Sequence, residues 1–122
     1  MDRQCIVAMD DDPDVRAFYA ACLEAAGFDL VLAESSRDVL ALVERHRPAL
    51  VLSDLVMPDH EGMEGILNLI SKHAVPILVV SGHRRFIELA SPLVSATLLK
   101  PVTAEQLLDA VRSLLPGGTA QG

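Results

Sequence analysis

The chain has 122 residues, of which 51% are hydrophobic and 22% are charged, and its formal net charge is −7. This length suits one domain, and the composition provides enough apolar side chains for a largely aliphatic core. The negative charge argues against direct nucleic-acid binding by the domain. No segment is long and apolar enough to span a membrane, and no signal peptide precedes Cys5, so we expect a cytoplasmic protein without membrane attachment.

The chain begins with an apolar run, Cys5 to Met9, which predicts a first strand. Three aspartates follow this run. Asp12 and Pro13 fit the cap and the first position of a helix, because proline lacks only an N–H that the first turn does not use. Apolar residues at helical spacing continue the helix until Gly27.

A second strand is predicted over residues 28–33, and Ser35 or Ser36 fits the cap of the second helix. The apolar run that starts at Leu50 ends in the carboxylate of Asp54. A run of this length fits a strand buried on both faces, as in a parallel sheet.

The second half of the chain continues the alternation. Gly62 opens a third helix, residues 77–80 predict a fourth strand, and Pro92 predicts a short or broken fourth helix. Residues 96–99 predict a fifth strand, and a capping-box pattern beginning at Thr103 opens the last helix.

The two cysteines, Cys5 and Cys22, fall in a predicted strand and on the apolar face of a predicted helix. We interpret both as buried free thiols rather than as a disulfide or a metal pair.

Five strand–helix repeats predict an α/β protein, a doubly wound parallel sheet with helices on both faces. The order 2-1-3-4-5 places the first and third strands side by side, which brings Asp10 and Asp11 next to Asp54. We expect one domain over residues 4–115 and a flexible tail, or the start of a linker, over residues 116–122.

The carboxyl ends of four predicted strands carry polar side chains: Asp10 and Asp11, Asp54, Ser81, and Lys100. Crowded carboxylates repel one another, and a hard divalent cation, Mg2+ or Mn2+, relieves that repulsion. Asp54 could then attack phosphorus and form an acyl phosphate. The metal and the Lys100 ammonium would neutralise the phosphoryl oxygens, and the Ser81 hydroxyl could donate a hydrogen bond to one of them.

Taken singly, each of these features has an ordinary interpretation as a solvated turn, a helix cap or a loop. Their shared position at the same end of successive strands favours a functional site.

Together these motifs resemble the receiver domain of two-component response regulators, from Ile6 to about Leu115. The resemblance rests on the residues Met9-Asp10-Asp11-Asp12-Pro13, Asp54-Leu55-Val56-Met57-Pro58 with Gly62, Ser81-Gly82 and Lys100-Pro101. It implies the flavodoxin-like (βα)5 fold and a signalling switch rather than an enzyme.

The resemblance also implies a role for each site residue. Asp54 takes the phosphoryl group from the phosphohistidine of a histidine kinase or a phosphotransfer protein. Asp11, Asp54 and the backbone carbonyl of Val56 bind magnesium, while Asp10 acts largely through water. Ser81 is the switch hydroxyl, and Lys100 binds the phosphate and precedes a cis peptide bond.

The sequence departs from this family where receivers transmit the signal. Thr97 stands where an aromatic residue is usual, and the fourth helix is predicted to be short or broken. We hypothesise that output uses a remodelled fourth-helix region without a rotating aromatic side chain. Val56 and His83 match positions that tune hydrolysis, and the apolar Val56 predicts a long-lived phosphoryl group.

Three alternatives remain beside the switch. A magnesium-dependent aspartyl-phosphate phosphatase is one, although Val56 stands where such enzymes usually place a second acid. A nucleotide-binding module is disfavoured, because no glycine-rich phosphate loop follows any strand. The third is a receiver-like adaptor without phosphorylation.

Besides the phosphodonor, we expect the domain to act on a downstream protein target or on an effector domain of a longer chain. The sequence leaves open whether the chain forms a homodimer.

Overall fold

The computed structural model describes residues 3–35, 38–54 and 61–115, and it gives only the backbone of residues 61–65. Strands and helices alternate throughout these ranges. The strands are β1 (Cys5–Met9), β2 (Asp29–Ala33), β3 (Leu50–Ser53), β4 (Ile77–Ser81) and β5 (Ala96–Leu99). The helices are α1 (Pro13–Ala25), α2 (Val39–His46), α3 (Glu61–Lys72), α4 (Arg84–Ala90) and α5 (Ala104–Leu114).

The strands form one sheet in the order β2-β1-β3-β4-β5, and all four pairings are parallel. The predicted doubly wound topology is therefore confirmed. The pairing of Met9 with Ser53 sets Asp10 beside Asp54 at the sheet edge. The pairing of Ser81 with Leu99 sets Lys100 at the same edge.

The core has two parts, one on each face of the sheet, because side chains alternate along each strand. In β1, Ile6 belongs to the part that contains Tyr19 and Leu107 from α1 and α5. Val7, the next residue, belongs to the part built with α2, α3 and α4. This burial on both faces explains the continuous apolar runs of β1, β3 and β4.

The N-terminal caps predicted for α1, α2 and α5 can be compared with the structure. The Asp12 side chain accepts a hydrogen bond from the Asp14 N–H at 2.9 Å, and Pro13 occupies the first position of α1. Thr103 and Gln106 form the predicted capping box of α5. The cap of α2 is Asp38 rather than Ser35, because the helix begins later than its sequence suggests. Ser36 lies outside the described residues.

The α4 helix has seven residues, as the prediction of a short helix requires. It ends at Ala90, two residues before Pro92, where the chain turns towards β5. Among the helices that the structure describes, none combines the length and apolar character needed to cross a membrane.

Both cysteines are free thiols, so the prediction that they form no disulfide is confirmed. The prediction that they are buried is wrong, because each is only partly covered. Cys5 is the first residue of β1, and Cys22 is a partly buried residue of α1 packed against the core. Partial burial raises the pKa of both thiols, which makes them poor nucleophiles.

Candidate phosphoacceptor and metal site

The sheet itself assembles the candidate site, because backbone hydrogen bonds to the neighbouring strands continue one residue beyond the ends of β3 and β5. The Asp54 N–H donates to the Met9 carbonyl at 3.1 Å, and the Lys100 N–H donates to the Ser81 carbonyl at 2.8 Å. The sheet therefore fixes the backbone of Asp54 and of Lys100.

The Lys100 ammonium joins two carboxylates. Its Nζ lies 3.0 Å from Asp10 Oδ2 and 2.9 Å from Asp54 Oδ2. Asp10 is fully buried and Asp54 is 4% exposed, so both carboxylates depend on protein donors rather than on bulk water. Burial lowers the pKa of Lys100. The hydrogen bonds to Asp54 and Asp10 and the charges of these carboxylates raise that pKa by more, so the net shift is upward.

Asp10 is held on both sides of its carboxylate. Its Oδ1 accepts from the Asp12 N–H at 2.9 Å, while Lys100 contacts Oδ2. Burial raises the pKa of Asp10, and the charge of Asp54 adds to this, although the hydrogen bonds from Asp12 and Lys100 oppose it. The ionised form of Asp10 is therefore less favourable in the folded protein than in water.

Asp11 completes an acidic cluster. Single carboxylate oxygens of Asp10, Asp11 and Asp54 all lie within 4.8 Å of one another, and Asp11 is exposed while the other two are buried. Three carboxylates facing one ammonium leave an excess of negative charge. Their oxygen donors and the exposed side at Asp11 fit a hard cation that retains water ligands.

Ser81 is the last residue of β4, between the ends of β3 and β5. Its buried Oγ accepts a hydrogen bond from the His83 N–H at 3.1 Å. His83 caps α4 with its backbone, and its ring stacks at an angle on Phe86 with the centroids 5.5 Å apart. The Ser81 hydroxyl is thus tied to the start of α4.

The remaining positions that carry the family resemblance can be located in the fold. The Lys100–Pro101 peptide bond is cis, as the resemblance implied. Thr97 is a partly buried residue of β5, so that strand position carries no aromatic ring. Val56 and the Met57-Pro58 pair lie outside the described residues, while Gly62 is the second residue of α3.

Sequence reasoning missed two side chains near the site. Arg16 Nη1 donates to the Asp10 carbonyl at 2.8 Å, which fixes α1 against the end of β1. Arg16 is four residues after Asp12, and this spacing places it on the side of α1 that faces the site, which the sequence could have indicated. Tyr19 is one of the residues at helical spacing between Pro13 and Gly27, which predicts only a packing role, but its hydroxyl is buried with no hydrogen-bond partner among the described residues.

A cavity of about 420 Å³ lies beside the site, between α1 and the segment that follows β5. Tyr19, Phe18, Lys100 and Pro101 contribute to its walls. The stem of Lys100 thus borders an apolar space, while its ammonium faces the carboxylates.

A family model described as the response regulator receiver domain matches residues 6–112. The chain belongs to this family, and it is a receiver domain of the response-regulator type. This finding confirms the family that the motifs at Asp10, Asp54 and Lys100 indicated.

Curated relatives come from bacteria. The chain is 29% identical to the DNA-binding response regulator MtrA of Mycolicibacterium smegmatis, over 93% of this chain and 51% of that protein. It is 33% identical to the response regulator MprA of Mycolicibacterium vanbaalenii, over 90% of this chain and 49% of that protein. The chain therefore spans about half the length of these relatives. It is also 30% identical to an uncharacterized 14.6 kDa protein of Leptolyngbya boryana, over 88% of this chain and 86% of that one.

Solved structures share the fold. A CheY-like receiver domain from Methanospirillum hungatei aligns with a TM-score of 0.85 at 23% identity, over 99% of this chain and 100% of that one. The BeF3-activated receiver domain of RstA from Klebsiella pneumoniae aligns with a TM-score of 0.81 at 27% identity, over 89% and 96%. TrrA of Thermotoga maritima, solved in complex with Mg(2+)-BeF, aligns with a TM-score of 0.84 at 23% identity, over 92% and 99%.

Proposed function

We propose that this receiver domain accepts a phosphoryl group on Asp54 from a phosphohistidine and thereby acts as a signalling switch. One observation carries the proposal: Lys100 Nζ bridges Asp54 and Asp10 beside the oxygens of Asp11. A nucleophilic carboxylate, an acidic cluster and a cation at one sheet edge are the parts that phosphoryl transfer needs.

In the transfer, an Asp54 carboxylate oxygen attacks phosphorus. The new P–O bond forms as the P–N bond to the donor imidazole breaks, and that imidazole leaves with the electron pair and takes up a proton. Lys100 stays close enough to pair with the phosphoryl oxygens. The Ser81 hydroxyl, now an acceptor from the His83 N–H, donates to one of those oxygens after rotating about its Cα–Cβ bond.

Asp10, Asp11 and Asp54 would hold Mg2+ or Mn2+, with the carbonyl of Val56 as a further ligand by resemblance. The ion would supply charge neutralisation for the phosphoryl oxygens. Asp10, the most deeply buried of the three, would orient the water ligands rather than bind the metal directly.

The partners follow from this chemistry. A histidine kinase or a phosphotransfer protein supplies the phosphoryl group, and the phosphorylated domain acts on a downstream protein or on an effector domain. We propose that residues 4–115 form the receiver and that residues 116–122 form a tail or the start of a linker. The switch works in the cytoplasm, where such donors are found, and it promotes its own phosphorylation and dephosphorylation without being an enzyme of metabolism.

Acetyl phosphate with Mg2+ followed by intact mass measurement tests the proposal. We expect one phosphoryl adduct on the wild-type chain and none on Asp54→Asn. Asp38→Asn is the matched control, because Asp38 is exposed and makes no side-chain cap bond.

Two results would overturn the proposal. An unlabelled wild-type chain would favour the adaptor interpretation. Continuous release of phosphate from small phosphorylated substrates, at rates beyond one turnover per labelled chain, would favour the phosphatase interpretation.

A further inference from the structure

Tyr19 carries an unusual polar atom for a core residue. The residue is 1% exposed, and its hydroxyl is buried without a hydrogen-bond partner in the described part of the chain. A buried hydroxyl that makes no hydrogen bond costs stability, whereas a phenylalanine of nearly the same shape would not incur this cost. Packing alone therefore does not account for a tyrosine here.

Tyr19 and Lys100 line the same cavity, and the Lys100 ammonium contacts both Asp10 and Asp54. Helical side chains lean towards the helix N-terminus, and α1 begins three residues after Asp10 at the sheet edge where the site lies. Burial raises the pKa of the Tyr19 phenol, and the charges of Asp10 and Asp54 raise it further. The hydroxyl is thus a neutral donor within electrostatic reach of both carboxylates.

Lys100 now donates to two carboxylates, and it cannot keep both contacts once Asp54 is phosphorylated. One ammonium now donates to Asp10 Oδ2 and Asp54 Oδ2. When Asp54 carries a phosphoryl group, the ammonium pairs with the phosphoryl oxygens, and Asp10 loses the donor on Oδ2. Because Asp10 is fully buried, bulk water cannot replace that donor, so a replacement has to come from metal-bound water or from a neighbouring side chain.

We propose that the Tyr19 hydroxyl donates this missing hydrogen bond to Asp10 when Lys100 turns to a phosphoryl group on Asp54. Tyr19 is then a positioning residue, which acts on the reaction through Asp10 and never touches the phosphoryl group. The cavity of about 420 Å³ that Tyr19 shares with Lys100 gives both side chains room to shift. The inference rests on the proposed phosphorylation of Asp54.

The chain offers a clean spectroscopic test, because it contains one Tyr and no Trp. Tyrosine emission is quenched when the phenol donates a hydrogen bond to a carboxylate. We expect the emission of the wild-type chain to fall when acetyl phosphate and Mg2+ label Asp54. The emission of Asp54→Asn under the same treatment should stay constant.

Tyr19→Phe gives the kinetic test. The variant should fold at least as stably as the wild type, because it removes only a hydroxyl that has no hydrogen-bond partner among the residues that the structure describes. At saturating acetyl phosphate its labelling should be about tenfold slower, which corresponds to about 1.4 kcal/mol. The concentration of acetyl phosphate for half-maximal rate should not change, because the hydrogen bond forms only as the phosphoryl group transfers.

Phe18→Leu is the matched packing control. Phe18 lines the same cavity, and its ring centroid lies 6.2 Å from that of Tyr19, but it has no hydroxyl. Its labelling rate should stay within about twofold of the wild-type rate.

The inference is overturned if wild-type emission does not change on a chain that intact mass shows to be fully labelled. It is also overturned if Tyr19→Phe is labelled as fast as the wild type. Failure of the wild type to become labelled at all would instead overturn the proposed function, so the two failures are distinguishable.

Discussion

Lys100 Nζ lies 2.9 Å from Asp54 Oδ2, although the two residues are 46 positions apart in the chain. The contact exists because β4 places the end of β5 near the end of β3. The same ammonium contacts Asp10 at 3.0 Å. One side chain therefore compensates two buried carboxylates, and this relationship supports both a stability prediction and a functional one.

Lys100→Met should destabilise the fold in the absence of divalent cations. The change removes the ammonium that donates to both buried carboxylates, Asp10 and Asp54, and we expect a loss of about 1–3 kcal/mol in the free energy of unfolding. Urea denaturation at neutral pH measures it. Lys72→Met, at the exposed end of α3, should change stability by less than about 0.5 kcal/mol. Equal stability of Lys100→Met and wild type would contradict the structural role of the bridge.

Asp10→Asn should have the opposite effect on stability. Burial, as the largest cause, raises the pKa of Asp10 in the folded state above its ordinary value of 3.8. A raised pKa contributes stability that is fully present below 3.8 and is lost as the pH rises through the folded-state value. Ionised Asp10 therefore weakens the fold at neutral pH, and the Asn variant avoids that penalty.

Urea denaturation with a chelator, at neutral pH and at about pH 4, checks this prediction. We expect Asp10→Asn to be more stable than wild type at neutral pH, with the difference shrinking on acidification. Asp109→Asn, on the exposed side of α5, is the control and should show no such gain. A variant less stable than wild type at neutral pH would show that the site tolerates the Asp10 charge better than its burial indicates.

Magnesium should stabilise the chain through the acidic cluster. A ligand that binds only the folded state at a hundredfold excess over its Kd adds about 2.7 kcal/mol. Thermal unfolding with and without Mg2+ measures this gain, which Asp11→Asn should largely remove. Asp12→Asn should keep it, because Asp12 is outside the cluster and asparagine also caps a helix. The same gain in all three proteins would place the metal elsewhere.

Much of the site could be predicted from the sequence, because it depends on strand ends and on strand order. The bounds of β1 and β5 were predicted correctly, and the order of the sheet then brought Asp10 beside Asp54. Each of these strands is an apolar run followed by a polar residue, so its end can be recognised from neighbouring residues in the sequence alone.

The features that were missed depend on three-dimensional packing. The α2 helix begins at Val39, with Asp38 rather than Ser35 at the cap position. Tyr19 follows the helical apolar spacing of α1, so its sequence position gave no sign that its buried hydroxyl finds no hydrogen-bond partner in the described ranges. The single ammonium shared by Asp10 and Asp54 was also beyond sequence reasoning, because side-chain reach decides it.

Ser81→Ala should slow phosphorylation by about two- to tenfold, because it removes one hydrogen-bond donor to the phosphoryl oxygens. Time-resolved intact mass with acetyl phosphate measures the rate. Ser81→Thr keeps the hydroxyl and should stay close to the wild-type rate. Loss of the contact with the His83 N–H should cost little stability, since His83 is exposed at the start of α4. A wild-type rate for the alanine variant would remove Ser81 from the mechanism.

The most direct measurement of the central claim is the position of the phosphoryl group in the chain. Borohydride reduces an aspartyl phosphate to homoserine, and peptide mass spectrometry then locates the altered residue. The account predicts homoserine at position 54 alone, dependent on Mg2+. Homoserine at Asp10 or Asp11, or no altered aspartate in a labelled chain, would contradict it.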